Sequence, residues 1–157
     1  MKHTFLFIIA SSFTALFAQH DVLEKANGLI EQKKYETAYQ VLNVADPANR
    51  IPDIAIAKTN LLMDYFVTSI MHQVFALKDL EPGEDISETR GSNGSFSMFA
   101  FAPDSVLNPL IEQYPENYEL KKTLGYFYHE VHLRYAQSWL EPDSAVIERF
   151  LENYKIA

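Results

Sequence analysis

Residues 34–49 read KYETAYQVLNVADPAN, and this stretch decides the fold. Apolar and small residues recur in it at helical spacing. Asp46-Pro47 ends the helix, because proline lacks a backbone donor and pushes the preceding residue out of the α region. Residues 22–33 show the same spacing, so the two segments predict a pair of antiparallel helices. Stacked pairs of this kind present a groove to a partner more readily than they enclose a catalytic pocket.

The first eighteen residues predict a secretory signal peptide. Lys2 and His3 precede an apolar run that stops at Ala18, and we expect cleavage between Ala18 and Gln19. A run of about 14 residues is too short to span a bilayer core of roughly 30 Å, and polar residues follow it directly. We therefore expect one mature domain, residues 19–157, that is exported to the periplasm or outside the cell and has no stable membrane anchor.

The amino-acid composition restricts the cellular compartment and the kinds of partner that we expect. The chain has no cysteine, so it can form no disulfide and carry no lipid on a cysteine. Export without disulfides fits a bacterial cell envelope better than a small eukaryotic secreted domain. The net charge of −8 would repel nucleic acid and anionic membranes, so we expect neither as a partner. A hydrophobic content of 48% argues for a packed core.

The remaining chain is also predicted to be mainly helical. Pro52-Asp53 opens a segment, residues 53–80, in which apolar residues recur almost without a break and neither Gly nor Pro occurs. This pattern predicts one long central helix or a tightly joined pair. Further helices are predicted over about 104–114, about 117–139 and from 143 onward.

Residues 81–103 interrupt the helical pattern with Pro82-Gly83, an acidic stretch and the segment GSNGS at 91–95. We expect a long inserted loop with a short extended piece, and connections much longer than the usual length of about 4–6 residues are often functional. Phe99 and Phe101 lie in this piece. Packing against the helices is the favoured interpretation because aromatic side chains are mostly buried, and contact with a partner is the alternative.

The KYETA segment with Leu42 and Asp46-Pro47 resembles the second half of a tetratricopeptide repeat, and Leu124-Gly125-x-x-Tyr128 resembles its first half. The three residues Pro47, Pro82 and Pro115 lie 35 and 33 residues apart, close to the family's period of about 34. The repeats are degenerate, since Gln137 stands where the family has alanine. The resemblance implies an all-α fold, a short solenoid of antiparallel helical hairpins with one long inserted loop.

In this family the first helices of the hairpins form a groove that holds an extended or helical peptide. The resemblance therefore implies a protein or peptide partner, with Asn60, Asp64, Lys121 and His132 as candidate groove residues. The last eight residues, 150–157, resemble the middle of a second helix. We expect either a truncated piece of a longer array or self-association through the C-terminal helix.

The sequence contains few motifs for catalysis or metal binding. His129-Glu130-Val131-His132 misses the metal-binding spacing His-Glu-x-x-His by one residue, and no third ligand is evident, so histidines packed on a helix are the favoured interpretation. The acidic run from Asp79 to Glu88 lacks the spacing of a calcium loop and is expected to be solvated. There is no phosphate-binding loop, nucleophile elbow or cysteine nucleophile, so we expect a protein without enzymatic activity and without a cofactor.

These observations predict a non-catalytic scaffold of the bacterial cell envelope that binds a protein or peptide. Two alternatives remain open at this point. One is an accessory protein for glycan handling or envelope assembly, in which Trp139 would stack on sugars. The other is a truncated fragment of a longer repeat protein.

Overall fold

Helices make up most of the chain in the computed structural model, which describes residues 19–70, 72–92, 94–135 and 142–155. The predicted signal peptide, Gln137 and Trp139 lie outside these residues. The helices in chain order are 19–31 (α1), Tyr35–Ala45 (α2), Pro52–Tyr65 (α3), Ile86–Thr89 (α4), Pro103–Gln113 (α5), Tyr118–Tyr135 (α6) and Asp143–Lys155 (α7). The strands are Thr68–Ile70 (β1), Val74–Leu77 (β2) and Ser97–Ala100 (β3).

The predicted helices on either side of Lys33 are confirmed as α1 and α2. Lys33 adopts a left-handed conformation (φ 58°), and its N–H donates to the carbonyl of Ile30 at 2.9 Å, which closes a tight turn. Asp79 then accepts from the backbone N–H of Thr37 at 3.1 Å and from its hydroxyl at 2.5 Å. The expectation that Asp79 is solvated is therefore wrong, because this half-buried carboxylate accepts hydrogen bonds from the first turn of α2.

The proline signals around residue 50 predicted the helix boundaries correctly. Helix α2 ends at Ala45, and α3 begins at Pro52, where the missing N–H costs no helical hydrogen bond. The Asp46 carboxylate accepts from the Ile51 N–H at 2.7 Å and holds the connection in a tight loop. Leu42 and Ile54 form a small buried cluster with Ala26, so α1, α2 and α3 pack together.

The prediction of helix throughout residues 53–80 is wrong. Helix α3 ends at Tyr65, Phe66 is extended (ψ 142°), and β1 and β2 follow. Arg90 donates to the carbonyls of Asp64 at 2.6 Å and Phe66 at 3.0 Å, so a distant side chain satisfies the end of α3. A continuous apolar run fits a buried strand as well as a buried helix, and the sequence pattern alone does not separate them.

The strands form one antiparallel sheet in the order β1-β2-β3, so the expectation of an all-α fold is corrected to a mainly helical fold with a small sheet. Phe75 at the centre of the sheet pairs with Phe99 and is fully buried. Strand β3 is the short extended piece predicted within residues 81–103, and this region also contains the short helix α4. Pairing with β3 explains why residues 74–77 become a strand.

The C-terminal helices confirm the predicted order. Helix α3 packs against α2, α5 and α6, and α6 also packs against α5 and α7. The fully buried core residues of these helices include Leu62 on α3, Leu107 on α5, and Leu120 and Phe127 on α6. The apolar side of α7 is only partly buried: Val146 faces the core, while Ile147 and Leu151 are exposed.

A buried histidine links the sheet to the helices and should make stability depend on pH. Nε2 of His72, just after β1, lies 3.6 Å from a carboxylate oxygen of Asp104 on α5, and its ring lies 6.0 Å from that of Phe127 on α6. Burial lowers the pKa of His72 below its ordinary value of 6.5, and the Asp104 carboxylate partly opposes this effect. Around pH 6.5 the unfolded chain therefore binds more protons at this residue than the folded protein does.

We expect the free energy of unfolding to fall as the pH is lowered from 7.5 through 6.5 to 5.5, because the folded protein resists protonation of His72. Urea titrations across this range measure the effect. The slope should be reduced in His72→Gln and kept in His20→Gln, because His20 is exposed. An unchanged slope in His72→Gln would contradict this assignment.

Candidate functional site

A groove with a volume of about 380 Å³ runs between α1 and α3. Its floor is apolar and includes Leu23, Ile30 and Ile56, and polar side chains stand among these residues. On α3, Asp53, Asn60 and Asp64 are spaced by seven and four residues, so they share one helix face. The polar residues that line the groove are Asn27, Asp53, Asn60, Asp64 and Tyr65.

Charge in the groove has one sign. Asp53 and Asp64 are acidic, and the described residues that line the groove include no Lys, Arg or His. The amides of Asn27 and Asn60 each offer both a donor and an acceptor. Together these groups suit a ligand that brings cationic groups and backbone hydrogen-bonding groups.

Hydrogen bonds to neighbouring elements hold both ends of the groove. At one end the side chain of Gln19 donates to the Asp53 carboxylate at 2.7 Å. At the other end the Tyr126 hydroxyl of α6 donates to the Asp64 carboxylate at 2.5 Å. Burial, followed by the bond to Asp64, raises the pKa of Tyr126 well above its ordinary value, so the phenol stays protonated and keeps donating. Asp64 is thereby fixed as an acceptor at the junction of α1, α3 and α6.

The structure brings together two of the six candidate site residues. Asn60 and Asp64 line the groove, whereas Lys121 and His132 lie on α6 and are not among its lining residues. Phe99 and Phe101 pack against the ring of Tyr39, at centroid distances of 4.7 and 6.4 Å. Packing is therefore the observed role of these two aromatic side chains, and Phe101 is buried in the core.

Several polar residues of the site, Tyr65 among them, were not predicted from the sequence. Asn27 and Asp53 line the groove, and Tyr126 closes its end. A signal for Asp53 was present, because it lies on the same helix face as Asn60 and Asp64. Tyr126 offered no such signal, since its approach to Asp64 depends on how α6 packs against α3.

The histidine pair of α6 makes protein contacts. The His129 ring lies 5.4 Å from that of Phe150 on α7, and its Nδ1 is 3.4 Å from the Glu130 carboxylate. Among the described residues, no three His, Cys, Asp or Glu side chains are grouped so that they could hold a metal ion.

Two further observations bear on the role of the site: the apolar character of the helices and the similarity of the chain to known proteins. Within the described part of the chain, no helix combines the length and the apolar character needed to cross a bilayer. Comparison with protein-family models, with curated proteins and with solved structures found no match to this chain.

Proposed function

We propose that this protein is an exported bacterial scaffold of the tetratricopeptide type, without enzymatic activity, that binds a protein or peptide in the groove between α1 and α3. The groove is the observation that carries the proposal. It joins an apolar floor to amide and carboxylate side chains, which is the combination that a peptide backbone with apolar and basic side chains requires.

The order of helix packing supports the repeat interpretation. In the repeat interpretation α1 and α2 would be a first pair, α3 and α5 a second, and α6 and α7 a third, with contacts between the helices of each pair. In this interpretation the sheet and α4 are an insertion between the two helices of the second pair. The first helices of the pairs, α1, α3 and α6, then meet along one side, where Asp64 of α3 contacts Tyr126 of α6.

Small buried residues at matching places also support this interpretation. Ala26 on α1, Thr59 on α3 and Gly125 on α6 are all buried, and their separations are 33 and 66 residues. The first separation is close to the repeat period of about 34 residues, and the second also contains the insertion within the second pair. Residues of this size allow the second helix of a pair to approach the first closely.

The charge and shape of the groove restrict the kind of partner that it would bind. Asp64 and Asp53 would favour a segment with Lys or Arg, and Asn60 would bond the backbone of an extended peptide. The exposed side chains of Ile147, Leu151 and Tyr154 on α7 provide a second surface, through which the protein would pair with another copy or another repeat.

A peptide selection tests the groove. We expect peptides selected from a random display library on the purified protein to be enriched in Lys and Arg. Their affinity should fall at least tenfold in Asn60→Arg, because the new side chain fills the groove and adds a like charge, a loss of about 1.4 kcal/mol or more. The matched control is Asn108→Arg on the exposed face of α5, which should bind normally.

Two results would overturn this proposal. Selected peptides that bind Asn60→Arg and the wild type equally well, with both proteins folded by circular dichroism, would place the binding surface elsewhere. Failure to enrich any peptide over an unrelated acidic protein would contradict a peptide-binding role.

A further inference from the structure

An apolar groove of about 440 Å³ lies between α1 and α2, and we call it the α1/α2 groove. It is separate from the groove between α1 and α3. Val22 and Lys25 line the α1/α2 groove, whereas Leu23 and Ile30 line the other. Because residues three apart share a helix face and direct neighbours in sequence do not, the two grooves occupy different faces of α1. Helix α1 therefore offers two surfaces that can be tested separately.

The wall that α2 contributes to the α1/α2 groove is apolar and open to solvent. Thr37, Val41 and Val44 line it and are spaced by four and three residues, so they share one helix face. The side chain of Val44 is 82% exposed. Ala45, at the end of α2, adds a further small apolar side chain. The described lining residues carry one charge, that of Lys25.

Helix α7 carries a stripe of exposed apolar side chains with the same spacing. Ile147, Leu151 and Tyr154 are separated by four and three residues, and we call them the α7 stripe. Val146 on the same helix is buried, so α7 turns another face to its own core. At a rise of 1.5 Å per residue, the stripe and the α2 wall are each about 10 Å long. Apolar side chains that alternate by four and three residues are the pattern with which two helices pack side by side.

The charges beside the two surfaces are opposite. Lys25 in the groove is exposed, and so are Glu148 and Glu152, which lie four residues apart next to the α7 stripe. Within the part of the chain that the structure describes, none of these three side chains forms an ion pair. Contact between the stripe and the groove would bring the ammonium group near two carboxylates while burying apolar surface.

We infer that the α1/α2 groove binds the α7 stripe of a second copy of this protein. Within its own chain α7 packs mainly on α6, so the stripe is left for a surface of another molecule. The α1/α2 groove of a second copy matches the stripe in spacing, length and charge. This inference rests on the second surface of the proposed function and assigns its partner. The contact joins two different surfaces, so it builds a ring or a row of copies.

Sedimentation equilibrium of the purified protein tests the pairing. We expect the average mass to rise above that of a monomer as the protein concentration increases, with a Kd below about 1 mM. The groove variant Val44→Glu and the stripe variant Leu151→Glu should each weaken self-association about tenfold or more, because each places a carboxylate in an apolar contact. A wild type that stays monomeric up to about 1 mM would overturn the inference.

A mixture of the two variants distinguishes this contact from pairing of α7 with α7. Val44→Glu keeps an intact stripe and Leu151→Glu keeps an intact groove. An equal mixture should therefore associate about tenfold or more tightly than either variant alone. Pairing through α7 alone predicts instead that Val44→Glu associates like the wild type. That result, or a mixture that associates no more tightly than its components, would overturn the inference.

Matched controls separate this contact from effects of charge and of unfolding. Leu133→Glu changes an exposed leucine of α6 outside the stripe and should associate like the wild type. An equal loss in this control would contradict the assignment. Ile147→Glu tests the same stripe if circular dichroism shows that Leu151→Glu is unfolded. Asn60→Arg should lose peptide affinity yet self-associate normally, so this inference and the peptide-binding proposal can fail separately.

Discussion

Replacement of Lys58 by alanine is expected to lower the free energy of unfolding by about 3–4 kcal/mol, because it deletes buried volume and leaves polar groups without a partner. Lys58 on α3 is fully buried, which is rare for lysine. Its ammonium donates to the Asp46 carbonyl at 2.6 Å and to the side-chain oxygens of Asn49 at 2.7 Å and Asn43 at 3.0 Å. These bonds hold the loop between α2 and α3 around one charge.

A second variant separates the two contributions. Lys58→Met keeps most of the apolar volume but removes the donors, so it should cost roughly 1–3 kcal/mol, chiefly through the buried Asp46 carbonyl. The matched control is Lys122→Ala on the exposed face of α6, where one surface ion pair with Glu119 is lost and the change should stay within about 0.5 kcal/mol. Urea unfolding measures all three. A Lys58→Ala variant as stable as Lys122→Ala would show that the buried ammonium does not organise the loop.

The pH dependence gives an independent check on Lys58. Burial lowers its pKa from 10.5 to about 8, although the nearby Asp46 carboxylate opposes this shift. Between these two values the unfolded chain keeps a proton that the folded protein has lost, so the free energy of unfolding rises with pH over this window. The stability difference between the wild type and Lys58→Met should therefore widen above pH 8. A constant difference up to pH 10 would contradict a lowered pKa.

Local backbone chemistry explains which parts of the fold could be predicted. The boundary between α2 and α3 was predictable because Pro47 and Pro52 act on their own neighbours. Helical spacing was sufficient for α5, α6 and α7, where apolar residues recur on one face. In each case the information lies within a few residues of the element that it determines.

The sheet was not predictable in the same way, because its determinants are distant in sequence. Residues 74–77 become a strand through pairing with β3, which lies 20 or more residues further along the chain, and residues 68–70 pair with them. Arg90 donates to the carbonyls at the end of α3. The residues of the groove between α1 and α3 also divide into those that local sequence predicts and those that depend on tertiary packing. Asn60 and Asp64 were identified from their place on a first helix, whereas the closure by Tyr126 depends on packing between α3 and α6.

The burial of Lys58 is the clearest case of information that sequence patterns do not carry. On a helical wheel it reads as a polar position of α3, and lysine is almost never fully buried without partners. Two of its partners, Asp46 and Asn49, come from the loop between α2 and α3, where Asn49 adopts a left-handed conformation (φ 53°), and the third, Asn43, lies on α2. Only the folded arrangement of α2, this loop and α3 brings three oxygen atoms to one ammonium group.

The second large effect is expected at Gly125, where α7 lies against α6. A Cβ atom added to Gly125 would stand 2.6 Å from the Tyr154 ring and 3.3 Å from Cβ of Asn153, both on α7. In Gly125→Leu the side chain cannot fit without moving α7, so we expect a loss of about 2–3 kcal/mol. Hydrogen exchange of the amides of residues 143–155 should become faster, because α7 packs mainly on α6.

Two further glycine substitutions distinguish an effect of close helix packing at Gly125 from a general effect of replacing a glycine in a helix. Gly125→Ala should change stability by less than about 1 kcal/mol, since the half-exposed Tyr154 ring can turn aside and alanine favours the helix. The matched control is Gly28→Leu on α1, because a Cβ there would meet no atom within 4 Å. That variant should be neutral or more stable. If Gly125→Leu proved as stable as Gly28→Leu, with α7 still protected, then α7 would not depend on close approach at Gly125, and the third helix pair would lose the feature that links it most directly to the repeat family.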